Sequence, residues 1–542
     1  MSGWMDHLTI APIVVPLLAG AVMMLIDERQ RTLKAVIGMG SALALLGLAI
    51  LALTVADAGA GVVRVYRLGD WPASFGIVLV LDRFAALMLV LTGILGVAAL
   101  TFSLPRWQKA GAHFHPLFQF QLMGLNGAFL TGDLFNLFVF FEIMLAASYG
   151  LALHGSGLAR VRAGLHYVAI NLSASLLFLI GVSMIYGVSG TLNMADLAGR
   201  VASLAAEDRG LLEAGAAILG LAFLIKAGMW PLGFWLPNTY STLGSASAAI
   251  VSILSKVGIY AVLRLWLLVF GEGAGASSGF GGTVLLIGGL LTIGFGCIAV
   301  LATQNMARLA GATVLVSSGT LLAAIGAGQM AVTGGVLFYL TSSVMAVAGF
   351  FLLVELVERG RGVGADVLAV TREAFGEGDD EDADDGGGGG GAGVPIPATM
   401  AILGIGFMSS ALLLAGLPPL SGFLAKFAIL WPLLAAGPEV PVTTWILLAA
   451  LVLSGLATVV AMTRVGIDAF WASPAAEVPR VRVAEIAPVL LLLALNLALT
   501  IQAGPAMRYM EDTARALHAP QDYNGAVLSG IPTAGPTAGG AR

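Results

Sequence analysis

Residues Phe138–Ser148 read FVFFEIMLAAS and place one carboxylate, Glu142, inside an otherwise apolar run. Apolar runs of about 20 residues, the length that a helix needs to cross a bilayer, recur along nearly the whole chain. Lipid offers no partners to backbone polar groups, so such runs must be helical. The chain is 58% hydrophobic and 11% charged, with a mean hydropathy of +0.95, values foreign to soluble domains. The sequence therefore predicts an all-α polytopic membrane protein.

The composition also excludes several kinds of functional site. The single cysteine, Cys297, lies in an apolar run, which excludes a disulfide framework, a thiolate zinc site and a cysteine-ligated iron–sulfur cluster. The net charge of -5 is dominated by one acidic segment and indicates no nucleic-acid partner. The sequence has no nucleotide-binding loop, zinc motif or catalytic triad. We therefore predict no bound cofactor, no metal site and no binding of nucleic acid.

We predict about fourteen membrane spans, separated by short polar breaks. They cover residues 8–26, 35–55, 84–103, 115–131, 134–153, 165–187, 211–236, 243–270, 281–302, 308–328, 332–357, 397–431, 441–463 and 484–503. The more polar segment Val62–Leu81 is predicted to form a hairpin. The Pro-, Gly- and Ala-rich residues after Ala503 are predicted to be poorly ordered.

Loop charges predict the orientation. One set of alternate loops carries about twice as many Lys and Arg residues as the other, which places it in the cytoplasm and both termini outside. The same rule places the insert GEGDDEDADDGGGGGGAG in the cytoplasm. Its acids lack the spacing of a calcium-binding loop, so we favour a solvated, disordered linker over a calcium site.

A faint internal repeat points to two broken helices. Residues Ala227–Leu236 (AGMWPLGFWL) and Ala415–Leu424 (AGLPPLSGFL) align with one gap, and each carries proline within a long apolar run. Proline interrupts a helix, and two such spans in corresponding halves are typical of transporters built from inverted repeats. The predicted breaks involve Pro231 and Pro237 in the seventh span and Pro418 and Pro419 in the twelfth.

Four ionisable residues fall near the centres of predicted spans: Glu142, Lys226, Lys256 and Lys426. A charge at that depth costs about 2.5–3.5 kcal/mol on insertion scales, so we expect these groups to face one another or water. Burial weakens a lysine's hold on its proton and a nearby carboxylate strengthens it. Movement of Glu142 relative to Lys226 would therefore make the lysine bind or release a proton. The alternative is an ion pair that only fixes helix packing.

Lys256, Tyr260 and Arg264 are spaced by four residues and share one helix face. We expect Arg264 to extend towards the membrane interface, whereas Lys256 is too central to do so. Lys426 follows the second break, and its alternative is also extension to the interface. Asp133 is predicted to cap the fifth helix.

The sixth span carries a group of polar residues, His166, Asn171, Ser173 and Ser175. They either hold water along a path or make interhelical hydrogen bonds, and we favour the hydrogen bonds.

Several stretches together resemble one family. They are GLNGAFLTGDLFNLFVFFEIMLAASYGL, FLIKAGMWPLGFWLPNTYS, SKVGIYAVLR and AGLPPLSGFLAK. In combination they are similar to the antiporter-like membrane subunits shared by Mrp/Pha multisubunit cation/proton antiporters and by the membrane arm of respiratory complex I. The stretches FEIMLAASYGLALHG, VRAGLHYVAINLSAS and SGTLNMADLA look most like the D subunit of the Mrp/Pha antiporters.

This resemblance implies fourteen helices with two inverted five-helix repeats, broken helices 7 and 12, and a hydrophilic axis at the membrane midplane. The implied units are helices 1–3 at 1–114, a first repeat at 115–270, a second repeat at 271–463 with the disordered insert 373–394, and a last helix with a flexible tail at 464–542. By position, Glu142, Lys226, Lys256 and Lys426 match the proton-conducting residues of the family. The implied partners are other membrane subunits, protons and Na+ or K+, in the cell membrane.

The chain departs from the complex I subunits in two places. Gly233 replaces the histidine of their PLHxWLP stretch, and the eleventh span offers only hydroxyl side chains, which are Tyr339, Thr341, Ser342 and Ser343. We predict that waters held by Ser342 and Ser343 bridge Lys256 and Lys426.

The predicted function is therefore a proton-translocating subunit of a Na+(K+)/H+ antiporter, which is not an enzyme. Two alternatives remain. One is the proton-pumping arm of a quinone or ferredoxin oxidoreductase, and the other is a scaffold with an inert relic of a channel.

Overall fold

The structure is a computed structural model that describes residues 5–59, 62–73, 76–155, 157–359, 398–435, 437, 439–470, 479 and 481–529. The predicted insert 373–394 lies outside the described residues. The first half of the chain forms α1 (Ala11–Leu25), α2 (Arg31–Asp57), α3 (Arg83–Ser103), α4 (Phe114–Leu130), α5 (Leu134–Leu153), α6 (Leu158–Ser189), α7 (Met194–Val201), α8 (Ala206–Ala227), α9 (Leu236–Thr242), α10 (Ser245–Val251) and α11 (Leu254–Val269).

The second half continues with long helices and ends in two short ones. They are α12 (Gly282–Ala302), α13 (Met306–Gly326), α14 (Met330–Glu358), α15 (Ala398–Ala415), α16 (Ser421–Leu434), α17 (Val442–Phe470), α18 (Val483–Ile501), α19 (Ala503–His518) and α20 (Gln521–Leu528). Short 3-10 helices lie at Met5–Thr9, Leu68–Asp70, Trp107–Lys109 and Glu272–Ser277.

Each of the fourteen predicted spans overlaps at least one of these helices. Within the described residues, twelve helical segments are long and apolar enough to cross a membrane, with α10 and α11 counted as one. The other two spans correspond to α1, with 15 residues, and α4, with 17 residues. Helix α4 is less apolar because it buries Gln119, Gln121 and Asn126. The predicted all-α polytopic fold is confirmed.

Both predicted helix breaks are confirmed. Helix α8 ends where Gly228 adopts a φ of 78°, and α15 ends where Gly416 adopts a φ of 72°, a left-handed conformation that glycine reaches without a Cβ penalty. The first break contains Pro231 and the second contains Pro418 and Pro419. Pro237 stands in the first turn of α9, where its missing N–H leaves no intrahelical bond unmade.

The eighth predicted span carries an interruption that we did not predict. Helix α10 ends at Val251 and α11 begins at Leu254. The hydroxyl of Ser252 donates to Ala249 O at 2.8 Å, and that of Ser255 donates to Ser252 O at 3.1 Å. Serine hydroxyls that bond back to the preceding turn bend helices. The interruption places Lys256 in the first turn of α11.

The segment before α3 confirms the predicted hairpin. Strand β1 (Arg64–Arg67) pairs antiparallel with β2 (Val78–Leu81), with Arg64 opposite Leu81. The hairpin lies at one end of the helical bundle, which we call the hairpin end.

The prediction of poor order after Ala503 is wrong for residues 503–529. Helix α19 packs against α14 and buries Met510, Ala514 and Leu517, which recur at helical spacing. Tyr509 donates to Arg83 O at 2.8 Å. The average composition of this segment concealed an amphipathic helix, whereas residues 530–542 lie outside the described part.

The deepest part of the bundle consists of α10–α11, α13 and α14, whose apolar stretches are almost wholly buried. Helices α2, α6, α12, α15, α17 and α18 instead carry exposed apolar faces, as expected of surfaces that meet lipid or other membrane subunits. Polar side chains on the central helices therefore face protein. Of the predicted pathway residues, these helices carry Lys256, Ser342 and Ser343, whereas Glu142, Lys226 and Lys426 lie on α5, α8 and α16.

Candidate proton pathway

Glu142 on α5 and Lys226 on α8 lie near each other without forming an ion pair. The Lys226 side chain is 5% exposed, and its Nζ has no hydrogen-bond partner within the described structure. The ammonium lies 5.3 Å from the centroid of the Phe141 ring, and the charge of Glu142 acts on it. Glu142 is half-buried and accepts a hydrogen bond from Ser175 Oγ. The structural ion pair, which was the alternative interpretation of these two residues, is therefore not formed in this structure.

Lys226 lies in the last turn of α8, directly before the first break. The carbonyl ends of a helix carry partial negative charge and favour a cation there. Gly228 N already donates to Ile225 O. The carbonyl end of α8 therefore favours the ammonium electrostatically, although no acceptor among the described residues bonds to it.

Lys256 is 2% exposed and bonds to a different helix. Its Nζ donates to Ser318 Oγ of α13 at 3.2 Å. No carboxylate of the described residues pairs with it. A buried ammonium with a single neutral partner is poorly compensated, which is costly unless water reaches it.

Lys426 lies on α16 and reaches back across the second break. Its side chain is 8% exposed, and Nζ donates to Ala415 O, the last residue of α15, at 2.8 Å. A Cβ on Gly416 would lie 2.8 Å from Lys426 Cδ, so glycine leaves room for the lysine stem. Lys426 therefore does not extend to the interface but binds the carbonyl end of the other half-helix.

Serine hydroxyls occupy the space between Lys256 and Lys426. Ser317, next to Ser318 on α13, donates to Ser343 Oγ on α14 at 3.1 Å. A cavity between these helices is lined by Ser317, Ser342, Ser343, Tyr339, Thr313 and Thr458, among others. It offers about 20 Å³ to the centre of a water molecule, which is enough for one water. The structure thus brings Ser342 and Ser343 to the place where the sequence left a gap.

Asn496 on α18 is a pathway candidate that the sequence analysis missed. Its side chain is fully buried, and Oδ1 lies 3.1 Å from both Ser342 Oγ and Ser421 Oγ. The two serine hydroxyls are 2.8 Å apart. This polar triad joins α14, α16 and α18 beside the second break. A lone asparagine in an apolar span was the available signal, because such a residue usually bonds across helices.

The polar residues of the sixth span do not form one group. His166 is exposed, and its Nδ1 lies 2.9 Å from Arg162 O of its own helix. Asn171 donates to Tyr167 O at 2.9 Å and Ser173 to Ala169 O at 2.9 Å. Ser175 makes the interhelical bond to Glu142. The favoured interpretation therefore holds for Ser175, and His166 lies apart from the lysine row.

Two residues at the hairpin end complete the picture. Asp133 caps α5 as predicted, accepting from Asn136 N at 2.8 Å. The expectation that Arg264 extends towards the interface is wrong, since its side chain is 7% exposed and pairs with Asp82. A buried carboxylate within reach holds the guanidinium inside the protein.

Comparison with known proteins identifies the family of this arrangement. The family model of the NADH:quinone oxidoreductase/Mrp antiporter transmembrane region matches residues 131–372. The probable D subunit of a K+/H+ antiporter from Rhizobium meliloti is 57% identical, over 99% of this chain and 100% of that protein. The chain belongs to the family of antiporter D subunits. Another relative, the D subunit of a Na+/H+ antiporter from Alkalihalophilus pseudofirmus, is 35% identical over 97% of this chain and 100% of its own length.

A solved structure supports the same family assignment. A chain of the Mrp complex from Dietzia sp. DQ12-45-1b superimposes with a TM-score of 0.80 at 25% sequence identity. The match covers 97% of this chain and 100% of that chain. The predicted family is confirmed, and the similarity extends over the full set of described helices.

Proposed function

We propose that this subunit moves protons through the membrane along Glu142, Lys226, Lys256 and Lys426, and that the assembled antiporter exchanges them for Na+ or K+. The observation that carries the proposal is the row of three buried lysines, none of which has a carboxylate in direct contact. Buried ammonium groups without such partners are costly, and their retention on broken or interrupted helices favours a role in transport.

The first half of the pathway depends on a change of distance. With Glu142 bonded to Ser175 Oγ, the carboxylate does not contact the Lys226 ammonium, which has no acceptor among the described residues. Approach of Glu142 would strengthen the hold of Lys226 on its proton, and withdrawal would release the proton towards Lys256 on the adjoining helix α11.

The second half of the pathway depends on hydroxyl groups and water. A proton leaving Lys256 would pass by Ser318, Ser317 and Ser343 and by water in the adjoining cavity, and then by Ser342 to Lys426. Hydroxyls donate and accept at once, so a chain of them with one or two waters can relay a proton between lysines. Asn496 would hold Ser342 and Ser421 in place for this relay.

The placement of the protein in the membrane follows from its charge pattern. We propose that it lies in the cell membrane with both termini and the hairpin end outside, in accord with the bias of basic loop residues. Residues 115–270 and 271–463 would act as two related halves, each providing one broken helix and one lysine at the break.

Everted membrane vesicles that contain the full complex test this proposal. Addition of Na+ or K+ to respiring vesicles should relieve luminal acidification, and Glu142→Ala should abolish this exchange while the complex still assembles. The matched control is Glu439→Ala, since Glu439 lies exposed in a loop. Full exchange by assembled Glu142→Ala complexes would refute the proposal. Exchange driven by an imposed pH gradient without any electron donor separates it from a redox-driven pump.

A further inference from the structure

A buried ion pair at the hairpin end lies outside the pathway described so far. Arg264 Nη2 donates to Asp82 Oδ1 at 2.7 Å, and Nη1 donates to Oδ2. The pair is almost fully removed from solvent, with the two side chains 7% and 14% exposed. Asp82 also caps α3, because Oδ1 accepts from Ala85 N at 2.9 Å. It is thus a carboxylate whose oxygens are both engaged, held on the end of a helix.

One tyrosine lies between the pair and Lys256 along α11. Arg264 Nη2 lies 3.1 Å from the Tyr260 hydroxyl, which donates to Phe129 O at 2.6 Å. Tyr260 is four residues after Lys256 and four before Arg264 on α11, so the three side chains follow one face of the helix at successive turns. All three are buried. The stripe runs from the deepest lysine of the bundle to its hairpin end.

The pair also adjoins a cavity beneath the C-terminal helix. The cavity is lined by Asp82, Arg83, Arg264, Asp522 and Tyr523, with Val62 and Val63 at the hairpin. It offers about 40 Å³ to the centres of water molecules, which is room for two or more. Arg67 Nη2 donates to Val527 O at 3.2 Å and fastens α20 over the cavity. Water can therefore reach the carboxylate from the hairpin end.

A purely structural role accounts poorly for this arrangement. A buried ion pair usually contributes less stability than apolar residues of the same size, since both charges lose their hydration. Here the charges instead border a cavity with room for water on one side and the Tyr260 hydroxyl on the other. Arginine stays protonated in proteins, so only the carboxylate of the pair can take up and release a proton.

We propose that Asp82 is the proton acceptor at the hairpin end of the pathway and that Tyr260 links it to Lys256. The inference rests on the function proposed above and extends it by a terminal group. Lys256 gives up one proton to the Tyr260 hydroxyl, which turns away from Phe129 O and passes its own proton to the Asp82 carboxylate, so that Asp82 becomes a neutral acid. The ion pair opens, and Arg264 keeps its charge over the rings of Tyr260 and Tyr523. Asp82 then releases the proton to cavity water and the pair re-forms, so one proton enters and one leaves.

The first experiment tests whether Asp82 carries protons or only holds α3 and α11 together through its ion pair with Arg264. Asp82→Asn combined with Arg264→Gln replaces the ion pair by two neutral amides that can bond each other, which preserves a structural link but removes the titratable group. We expect cation-dependent proton flux per assembled complex in everted vesicles to fall at least about tenfold. The control is Asp512→Asn with Arg515→Gln, an exposed pair on α19, which should leave flux unchanged. Wild-type flux in the assembled neutral pair would overturn the proposal.

Two further variants decide the matter if the neutral pair fails to assemble. Tyr260→Phe keeps the ring and deletes only the hydroxyl, and we expect it to lower flux at least about threefold. Asp82→Glu restores a carboxylate and should retain more flux than Asp82→Asn. Full flux in Tyr260→Phe overturns the link through this residue, whatever the other variants do. If Glu142→Ala loses exchange while the Asp82 and Tyr260 variants keep it, the proposed pathway along Glu142 and the lysines is retained, and only the proposal for Asp82 and Tyr260 is refuted.

Discussion

The two broken helices place a lysine at the same kind of interruption but compensate its charge differently. Lys226 precedes its break, has no hydrogen-bond partner among the described residues and feels the charge of Glu142. Lys426 follows its break and donates to Ala415 O at 2.8 Å. One ammonium thus lies over an aromatic ring without an acceptor, and the other is held by a fixed backbone dipole.

This difference assigns separate tasks to the two halves. A carboxylate partner can switch the affinity of Lys226 for its proton, because approach and withdrawal change the local field. A carbonyl partner cannot switch in that way, so Lys426 must respond to what arrives through Ser342 and Ser421. The first half therefore suits control of proton release, and the second half suits relay.

The largest expected effect comes from arginine at either lysine. Lys226→Arg and Lys426→Arg keep the charge, but a guanidinium does not release its proton. If both lysines carry protons, cation-dependent proton flux should fall by about a hundredfold in each variant. Flux is measured in everted vesicles and divided by the amount of assembled complex. The control is Lys109→Arg, an exposed residue at the end of a short 3-10 helix, and retained flux in Lys426→Arg would leave Lys226 as the only carrier of the two.

Alanine in place of Gly228 and Gly416, the glycines at the two helix breaks, should test the difference between Lys226 and Lys426. Gly416→Ala forces a Cβ into a backbone with a φ of 72° and to within 2.8 Å of Lys426 Cδ, which displaces the lysine. Gly228→Ala has a similar backbone cost but meets Leu236 Cδ1 at 2.9 Å. Both variants should lower the thermal stability of the complex, with a backbone cost of about 1–2 kcal/mol.

Flux per folded complex should separate the two glycine variants. It should fall more in Gly416→Ala, because only that methyl group touches a lysine. Gly437→Ala, which has no atom within 4 Å of the added Cβ, serves as the control. Equal loss of flux in both break variants would show that the backbone of the break, and not the position of Lys426, is what matters.

Mutation of the polar triad should have an intermediate effect on proton flux, and the effect should arise in the second half of the pathway. Asn496→Leu removes the acceptor of Ser342 and Ser421 but retains an apolar side chain of similar size. We expect flux to fall about tenfold, the effect of losing roughly 1.4 kcal/mol of positioning. Ser454→Ala is the matched control, since Ser454 is buried but bonds only to Leu451 O of its own helix at 2.8 Å. An unchanged flux in Asn496→Leu would exclude a relay through the triad.

The smallest effect is expected at the ring beside Lys226. Phe141→Leu removes a cation–π contact at 5.3 Å, which is worth about 0.5–2 kcal/mol. Flux should change by only a few-fold, because Glu142, the group proposed to control proton release from Lys226, is unchanged. Phe118→Leu, a buried ring without a cation nearby, controls for lost packing. A loss as large as that of Glu142→Ala would mean that the ring, and not the carboxylate, stabilises the lysine.

Prediction from sequence succeeded where a local rule applied. The spans follow from hydropathy, the breaks at Pro231 and Pro418 follow from proline geometry, and the hairpin follows from a polar interval between spans. The interruption before Lys256 was missed because serines that bond back to their own helix leave no clear mark in the sequence. The helices after Ala503 were missed because average composition hides a pattern that repeats every three or four residues.

The residues of the candidate pathway likewise fall into those that the sequence revealed and those that only the structure revealed. Glu142, Lys226, Lys256 and Lys426 are visible in the sequence because a charge in an apolar span is costly and therefore conspicuous. Neutral partners carry no such signal, so Ser317, Ser318, Ser421 and Asn496 look like ordinary helix residues until their hydroxyl and amide groups are seen to meet. Arg264 was misjudged because the position of its partner, Asp82, is set by a different helix.

By itself the sequence determined that the chain crosses the membrane many times as helices and that four ionisable groups lie at depth, because both follow from the cost of placing polar groups in hydrocarbon. The tertiary structure alone decided the surroundings of those groups: Ser318 and Ala415 O for two lysines, the Phe141 ring for the third, and Ser175 for Glu142. It also decided the partner of Arg264, which is Asp82. Partners on different helices are brought together by helix packing, which cannot be predicted from the spacing of residues along a single helix.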